Sequence, residues 1–439
     1  MRKPAIHVTK KQINLLASDR LSKGERRQVV AHLLSRCEPC LALARQALFP
    51  AEPGVADYSA ALRRAEQAFL RVQQRTERER REAELLWERF LAPLDGGQRL
   101  RAIRDNAACQ TWGLFAVLLD RAKEAARVSL IDAADLAHAA LFVAESLPGE
   151  VYGEAHIHDF RAAANAALGN FKRLLGDFEG AQAHLRDGFE LMENGSGDPY
   201  EEINLLSVQA SLWTDAGELE EASELLRDAV HLARGIRDRH LEARLVLQRS
   251  SSLGWIDPAH GLELAYRSLA QLKASGVRDE HLELGAWHLT ALWSNELGDA
   301  AAARSTLESC RYLYSAFPDP VTQGRLLLLE GLIERNEGRL EDSAGRFREL
   351  VDLYGENSMA FDLALACLEW AESLVRVGRP ADAAEVMAQA YPLIESWKIH
   401  VDVLRAWSIL REAVGRQAVE TASFRELAMT LRRKWFVKG

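Results

Sequence analysis

The sequence predicts an all-α protein: an array of antiparallel helix hairpins with a period of about forty residues, preceded by a small metal-stapled helical module. Three observations predict it. Short turns recur at Gly176-Asp177, Gly217-Glu218, Asp257-Pro258, Gly298-Asp299, Gly338-Arg339 and Gly378-Arg379, at intervals of 41, 40, 41, 40 and 40 residues. Helix-length apolar patterns fill the spaces between them, in a chain with only 12 prolines in 439 residues. Near the N-terminus His7, His32, Cys37 and Cys40 offer two imidazoles and two thiolates, enough to close a tetrahedral shell around Zn²⁺.

The head comes first in the chain. Thr9 opens a capping box with Gln12, starting a helix that carries Ile13, Leu15 and Leu16. Ser22 and Glu25 form a second box before a helix bearing Val29, Val30, Leu33 and Leu34. His32 lies in that second helix, and Cys37-Glu-Pro-Cys40 breaks it with both sulfurs able to face one ion. So few residues cannot bury enough apolar surface to fold alone, whereas a structural zinc contributes roughly 10–16 kcal/mol. Residues 1–48 are therefore read as one module. Its stretch from Ile13 to His32 and its His…Cys-x-x-Cys ending resemble the zinc-binding module of anti-sigma factors. That resemblance places the ligands on His7, His32, Cys37 and Cys40, and implies a sigma-type transcription factor as a partner.

A break at Phe49-Pro50-Ala-Glu-Pro53-Gly54 leads to a connector, residues 55–97. Its long helix, from Asp57 to about Phe90, is rich in mixed charges at i, i+4 spacing. Leu62, Phe69, Val72, Leu86 and Phe90 form a narrow apolar stripe expected to pack on the first repeats. Pro93 and Asp95-Gly96-Gly97 end the helix.

The array is assigned to residues 98–416. A first hairpin, about 110–127 and 131–147, lacks the turn glycine, as a terminal repeat is free to do. Thereafter a small residue stands five positions after the turn glycine (Ala181, Ala222, Ala303, Ser343, Ala383) and another seven before it (Gly169, Ala210, Ala291, Gly331, Ala371). A bulky apolar residue follows on the second helix: Leu185, Leu226, Leu307, Phe347 and Met387. The repeat near Trp255 is degenerate. This pattern resembles tetratricopeptide repeats with longer helices, which implies a right-handed superhelix. Residues 417–439 are expected to form a capping helix with a basic end: Arg425, Arg432, Arg433 and Lys434 beside Leu427, Leu431, Trp435 and Phe436.

Charge is uneven. Residues 1–46 hold ten Lys/Arg against three Asp/Glu, while the whole chain has a net charge of −9. A basic head on an acidic body suggests either an acidic partner for the head or docking onto the body itself; no direct nucleic-acid binding is expected. The apolar runs are too short for a membrane span and no secretory leader is visible, so the expected location is cytoplasmic. Cys109, Cys310 and Cys367 read as small buried hydrophobes. His156-Ile-His158-Asp159 reads as helix-start polar packing, and Ser250-Ser251-Ser252 as a helix-end polar patch.

No nucleotide loop, nucleophile elbow or metalloprotease motif occurs. The expected function is a non-catalytic regulatory or adaptor protein that binds partners through the superhelix and the zinc module. Trp213, Trp287 and Trp293 are the candidates for lining a partner-binding groove. Two alternatives are a sensor of a peptide or small signal, and a regulator of a separate effector enzyme such as a protease.

Overall fold

The computed structural model describes residues 7–18, 20–34, 37–48, 59–357, 359–396, 401–416 and 422–434, and none of these is in a β-strand. The chain divides into two compact units, Met1–Arg75 and Thr76–Gly439. The division falls inside a helix of the span expected as the connector, residues 55–97.

The first unit holds α1 (Lys10–Ala17), α2 (Lys23–Leu34), α3 (Glu38–Leu48) and the beginning of α4 (Ser59–Leu86). Both predicted capping boxes are present. Thr9 accepts from the Gln12 amide while Gln12 accepts from that of Thr9, and Ser22 and Glu25 exchange the same pair of bonds. The core is small: Val8, Ile13, Leu21, Val29, Cys40 and Ala44, with Leu15, Leu16 and Leu33 packed at its edge. Val30 is exposed. The break predicted at residues 49–54 lies outside the described residues, as do the side chains of Leu34 and Leu62.

Of the apolar stripe along α4, Leu86 packs and other members do not. Phe69 and Val72 are exposed, and so is Phe90 in the π-helical turn Trp87–Leu91 that follows. Within the second unit, the residues of α4 that pack are Glu79, Ala83 and, partly, Leu86, followed by Leu91. They meet α6 (Trp112–Ala125) at close range, because Gly113 has no side chain: a Cβ there would fall 2.3 Å from the Glu79 backbone. Glu79 accepts from Tyr152 Oη at 3.0 Å, Arg80 pairs with Asp120, and Arg121 reaches Glu84 at 2.6 Å. The missing side chain at Gly113 sets the crossing here, while Phe69, Val72 and Phe90 stay outside it. Asp95 does not simply end the connector; it caps a short helix, α5 (Gly96–Arg104), in a capping box with Gln98.

The array then runs in pairs. Helices α6 and α7 (Leu130–Glu145) make the first hairpin, which lacks a turn glycine, and a single turn, α8 (Gly149–Tyr152), follows. Six further hairpins pair α9 (Glu154–Leu174) with α10 (Phe178–Met192), α11 (Pro199–Asp215) with α12 (Leu219–Gly235), α13 (Arg239–Leu253) with α14 (Pro258–Ser275), α15 (Glu280–Glu296) with α16 (Ala300–Ser315), α17 (Pro320–Asn336) with α18 (Leu340–Glu356), and α19 (Ala360–Val377) with α20 (Pro380–Ser396). Each second helix also packs on the next first helix, as α12 does on α13 and α18 on α19. Last come α21 (Val401–Gly415) and α22 (Ala422–Lys434). Helix α22 lies within the span expected to cap the array; Trp435 and Phe436 lie outside the described residues, as does the side chain of Leu431.

Five of the six turns share one mechanism. Gly176, Gly217, Gly298, Gly338 and Gly378 all have φ between 78° and 86°. The amide of the next residue bonds back five positions, as Asp299 does to the Ser294 carbonyl at 3.0 Å and Arg339 to that of Glu334 at 2.9 Å. This Schellman closure needs a left-handed residue, which glycine adopts without strain. Aspartates cap many of the helices that follow, including Asp177, Asp238, Asp299 and Asp319.

The small-residue register is also met. Ala181, Ala222, Ala303, Ser343 and Ala383 are fully buried, and so are the bulky partners Leu185, Leu226, Leu307, Phe347 and Met387. At Gly331 an added Cβ would fall 2.8 Å from the Phe347 ring, so the large side chain of one helix takes the space left by the other.

The degenerate repeat has its own solution. Asp257 is the N-cap of α14, so the residue aligned with the turn glycines is Ile256, one position earlier than the dipeptide pattern suggested. Counting from it, the crossing residue is Gly261 and the bulky position is Ala265, both small. Trp293 of α15 fills the deficit. A Cβ on Gly254 would fall 2.2 Å from its ring, and one on Gly261 would fall 3.1 Å from its Nε1.

Candidate metal centre and repeat surface

The first unit brings its four predicted ligands together. One donor atom from each of His7, His32, Cys37 and Cys40 lies within 4.8 Å of every other, the only such cluster of three or more His, Cys, Asp or Glu among the described residues. His7 Nδ1 is 3.3 Å from Cys37 Sγ and 3.4 Å from Cys40 Sγ, and His32 Nε2 is 3.2 Å from Cys40 Sγ. The imidazole rings stand at 89° to one another. A tetrahedral ion with metal–sulfur and metal–nitrogen bonds of about 2.3 and 2.0–2.1 Å holds its N and S donors roughly 3.5 Å apart. The donor set and its spacing therefore fit such an ion.

Local structure explains the convergence. His7 stands two residues before the α1 cap. His32 lies in the last turn of α2, Cys37 immediately before α3, and Cys40 in the first turn of α3 with its sulfur buried beside Val8. The Cys-x-x-Cys stretch starts a helix as well as ending one, with Pro39 tolerated in the first turn.

The three candidate tryptophans separate. Trp293 is fully buried and donates from Nε1 to Ser250 Oγ at 3.1 Å, so its predicted role at a binding surface is corrected: it is a core residue of the degenerate repeat. Trp213 is half-buried against Leu206, Leu226 and their neighbours, and Trp287 half-buried on the core of α15–α20. Trp255 stacks edge-on to Trp293 with centroids 5.2 Å apart and is 41% exposed.

The other sequence-level candidates have structural partners. Asp159 is buried and accepts from the Ser196 amide at 3.0 Å, and His158 Nδ1 lies 3.2 Å from the Asn194 carbonyl. Ser250 donates to the Gly261 carbonyl across the hairpin at 2.7 Å, and Ser252 pairs with Thr214. Burial pushes the Cys310 thiol up to about 11 and that of Cys367 up to about 12, so both stay protonated at neutral pH. A small cavity of ≈ 20 Å³, room for one water, is lined by residues including His288, Tyr314, Thr322 and Arg325. Burial, with Arg325 adding to it, pushes His288 down to about 3, so the neutral ring bonds Tyr314 Oη at 2.8 Å.

One constellation was not foreseen. On the first helices α17 and α19, the buried Arg335 lies 2.9 Å from the half-buried Glu369 and 3.2 Å from the buried Glu372. Arg376 binds Glu372 at 2.6 Å, and Arg425 of α22 reaches Glu296 at 3.3 Å. Burial raises the Glu296 carboxyl; Arg425 opposes this, while Glu369 and Glu372 add to it. The signal lay in the register: Glu296, Asn336 and Arg376 each stand two residues before a turn glycine.

No protein-family model matches the chain. No curated protein matches it by sequence. Among solved structures it is similar to a Rap protein complexed with competence and sporulation factor: 11% identity over 82% of this chain and 99% of that one, with a TM-score of 0.51. It is also similar to aspartyl phosphate phosphatase F from Bacillus subtilis (11% identity, 90% and 96% of the two chains, TM-score 0.49). A third is a STAND signal-transduction ATPase with a tetratricopeptide repeat sensor from Pyrococcus horikoshii (12% identity, 97% and 62%, TM-score 0.48). At such identities the likeness shows the fold alone, and only the first reaches a score that carries weight. That fold is a tetratricopeptide-like helical-repeat array.

Proposed function

We propose that this protein is a non-catalytic regulatory or adaptor protein that binds protein partners through its repeat array and its N-terminal module, in the cytoplasm. The observation that supports the scaffold reading is the unbroken series of hairpins from α9 to α20, each packed on the next, which leaves a long row of first helices as a surface. No helix among the described residues is long and apolar enough to cross a membrane.

In this reading the module is held by a structural Zn²⁺ on His7, His32, Cys37 and Cys40, supported by the convergence of their four donor atoms. The ion would supply no chemistry beyond cross-linking, because four protein ligands leave no position for water. The anti-sigma resemblance makes a sigma-type transcription factor the specific partner proposed for the head. Capture of native partners on the full-length protein tests this: enrichment of a sigma-type factor that is lost with Cys37→Ser/Cys40→Ser supports it. Recovery of other partners alone removes the sigma factor from the reading.

The second reading is a peptide sensor. The solved Rap structure is itself a complex with competence and sporulation factor, on a similar fold. A peptide that raises the melting temperature in proportion to its concentration would favour it. The ≈ 20 Å³ cavity beside His288 is too small to hold such a ligand.

A further inference from the structure

The terminal helix breaks the alternation of the array. Helix α20 packs against both α19 and α21, filling the seam between these two first helices from one side. Helix α22 also packs against α19 and α21. With that seam taken, it must meet them from the other side, the face made by the first helices. Its Arg425 confirms the direction by reaching Glu296 on α15, 129 residues back in the chain. Phe424 and Leu427, three positions apart on one face of α22, are buried in the core cluster that runs through this end of the array.

We propose that α22 is the internal occupant of a docking surface on α15, α17 and α19. The external occupant it fits is a basic amphipathic helix of a protein partner, with two apolar side chains three residues apart and an arginine between them. This rests on reading the array as a protein-binding scaffold and names the partner's chemistry. Three features carry it. The occupant is already seated, so the shape and polarity of the surface are known from what it holds. The surface is acidic where α22 is basic: Glu296, Glu369 and Glu372 share one buried arginine, Arg335. The polar hold is exposed, since the Arg425 side chain that reaches Glu296 is 75% exposed, beside the buried Phe424 and Leu427. A 13-residue helix is marginal in water by itself, so releasing it and melting it are one event.

A fluorescein-labelled peptide of residues 420–436 tests the proposal by anisotropy. It should bind the Phe424→Asp/Leu427→Asp full-length chain at least tenfold more tightly than the unmodified chain, whose surface is filled in cis. Adding Glu369→Gln and Glu372→Gln to the opened chain should weaken binding, as should raising the salt concentration. Equal affinity for closed and opened chains overturns the proposal. So does absence of binding to an opened chain whose circular dichroism and melting profile are retained. Hydrogen exchange on the unmodified chain gives a readout free of mutation: α22 amides should exchange at least tenfold faster than those of α21. Exchange of α22 only together with the array overturns the latch. A native partner captured equally by closed and opened chains overturns the latch while sustaining the scaffold.

Discussion

The N-terminal module and the array reach stability by opposite routes. Among its described residues the module buries six apolar side chains and draws together four His and Cys side chains that span more than thirty positions of sequence. The array repeats one local solution, in which a left-handed glycine turns the chain, a small residue admits the neighbouring helix and a large one fills the gap. Cross-links over a long loop act all at once, whereas nearest-neighbour packing is divisible. The two regions should therefore fail differently.

The largest effect expected is the loss of Zn²⁺. Elemental analysis should give about one zinc per chain, and Cys37→Ser/Cys40→Ser should remove it together with roughly 10–16 kcal/mol of metal-linked stability. Amide protection should then vanish over α1–α3 and persist in α9–α20. Zinc retained in that double mutant would place the metal elsewhere, and melting of the array with the module would deny the contrast between them.

Next comes Trp293→Ala, expected to cost about 3–5 kcal/mol as a large buried side chain facing two glycines. Denaturant titration should show the loss, and a cost below about 1 kcal/mol would mean that the degenerate repeat collapses onto the space. Gly298→Ala should cost about 1–2 kcal/mol, because its φ of 86° is strained for any residue with a Cβ. An unchanged midpoint would mean that the turn relaxes.

The smallest effect depends on pH. Burial, with Asp198 and Asp159 adding to it, pushes the Glu201 carboxyl up to about 7. The native state then keeps a proton that the unfolded chain releases above its ordinary value of 4.5. Stability falls as pH rises from there through about 7, and the loss is complete above it. Glu201→Gln should therefore stabilise the array at pH 8, by about 1 kcal/mol or less at this half-buried site, and leave it unchanged at pH 4. Thermal melts at the two pH values would refute this if the gain were equal at both.

Much of this was legible in the sequence because the signals were local. Capping boxes at Thr9 and Ser22 depend on residues three apart, and the turn glycines recur at a fixed interval. The convergence of His7, His32, Cys37 and Cys40 was legible because few residue types can serve as ligands. What failed was non-local. Phe69 and Val72 look like a packing stripe, yet the approach of α4 to α6 is decided by the absence of a side chain at Gly113. Trp293 looks like a surface aromatic until two glycines some thirty to forty residues earlier are seen to face it. The side of the array taken by α22 follows from a seam already occupied by α20, which no spacing within α22 encodes.

The tryptophan that fills the degenerate repeat also limits how the chain can be cut or recombined. Elsewhere one hairpin could be removed or grafted with its own crossing residue and its own bulky partner. Between α13–α14 and α15–α16 that independence is lost, since Gly254 and Gly261 on one side and the Trp293 ring on the other are complementary halves of a single layer. A truncation after α14 would leave a slot, and one beginning at α15 would present a bare indole to water. Deletions, insertions and exchanged repeats should be tolerated at other seams one hairpin at a time, but here only two at a time.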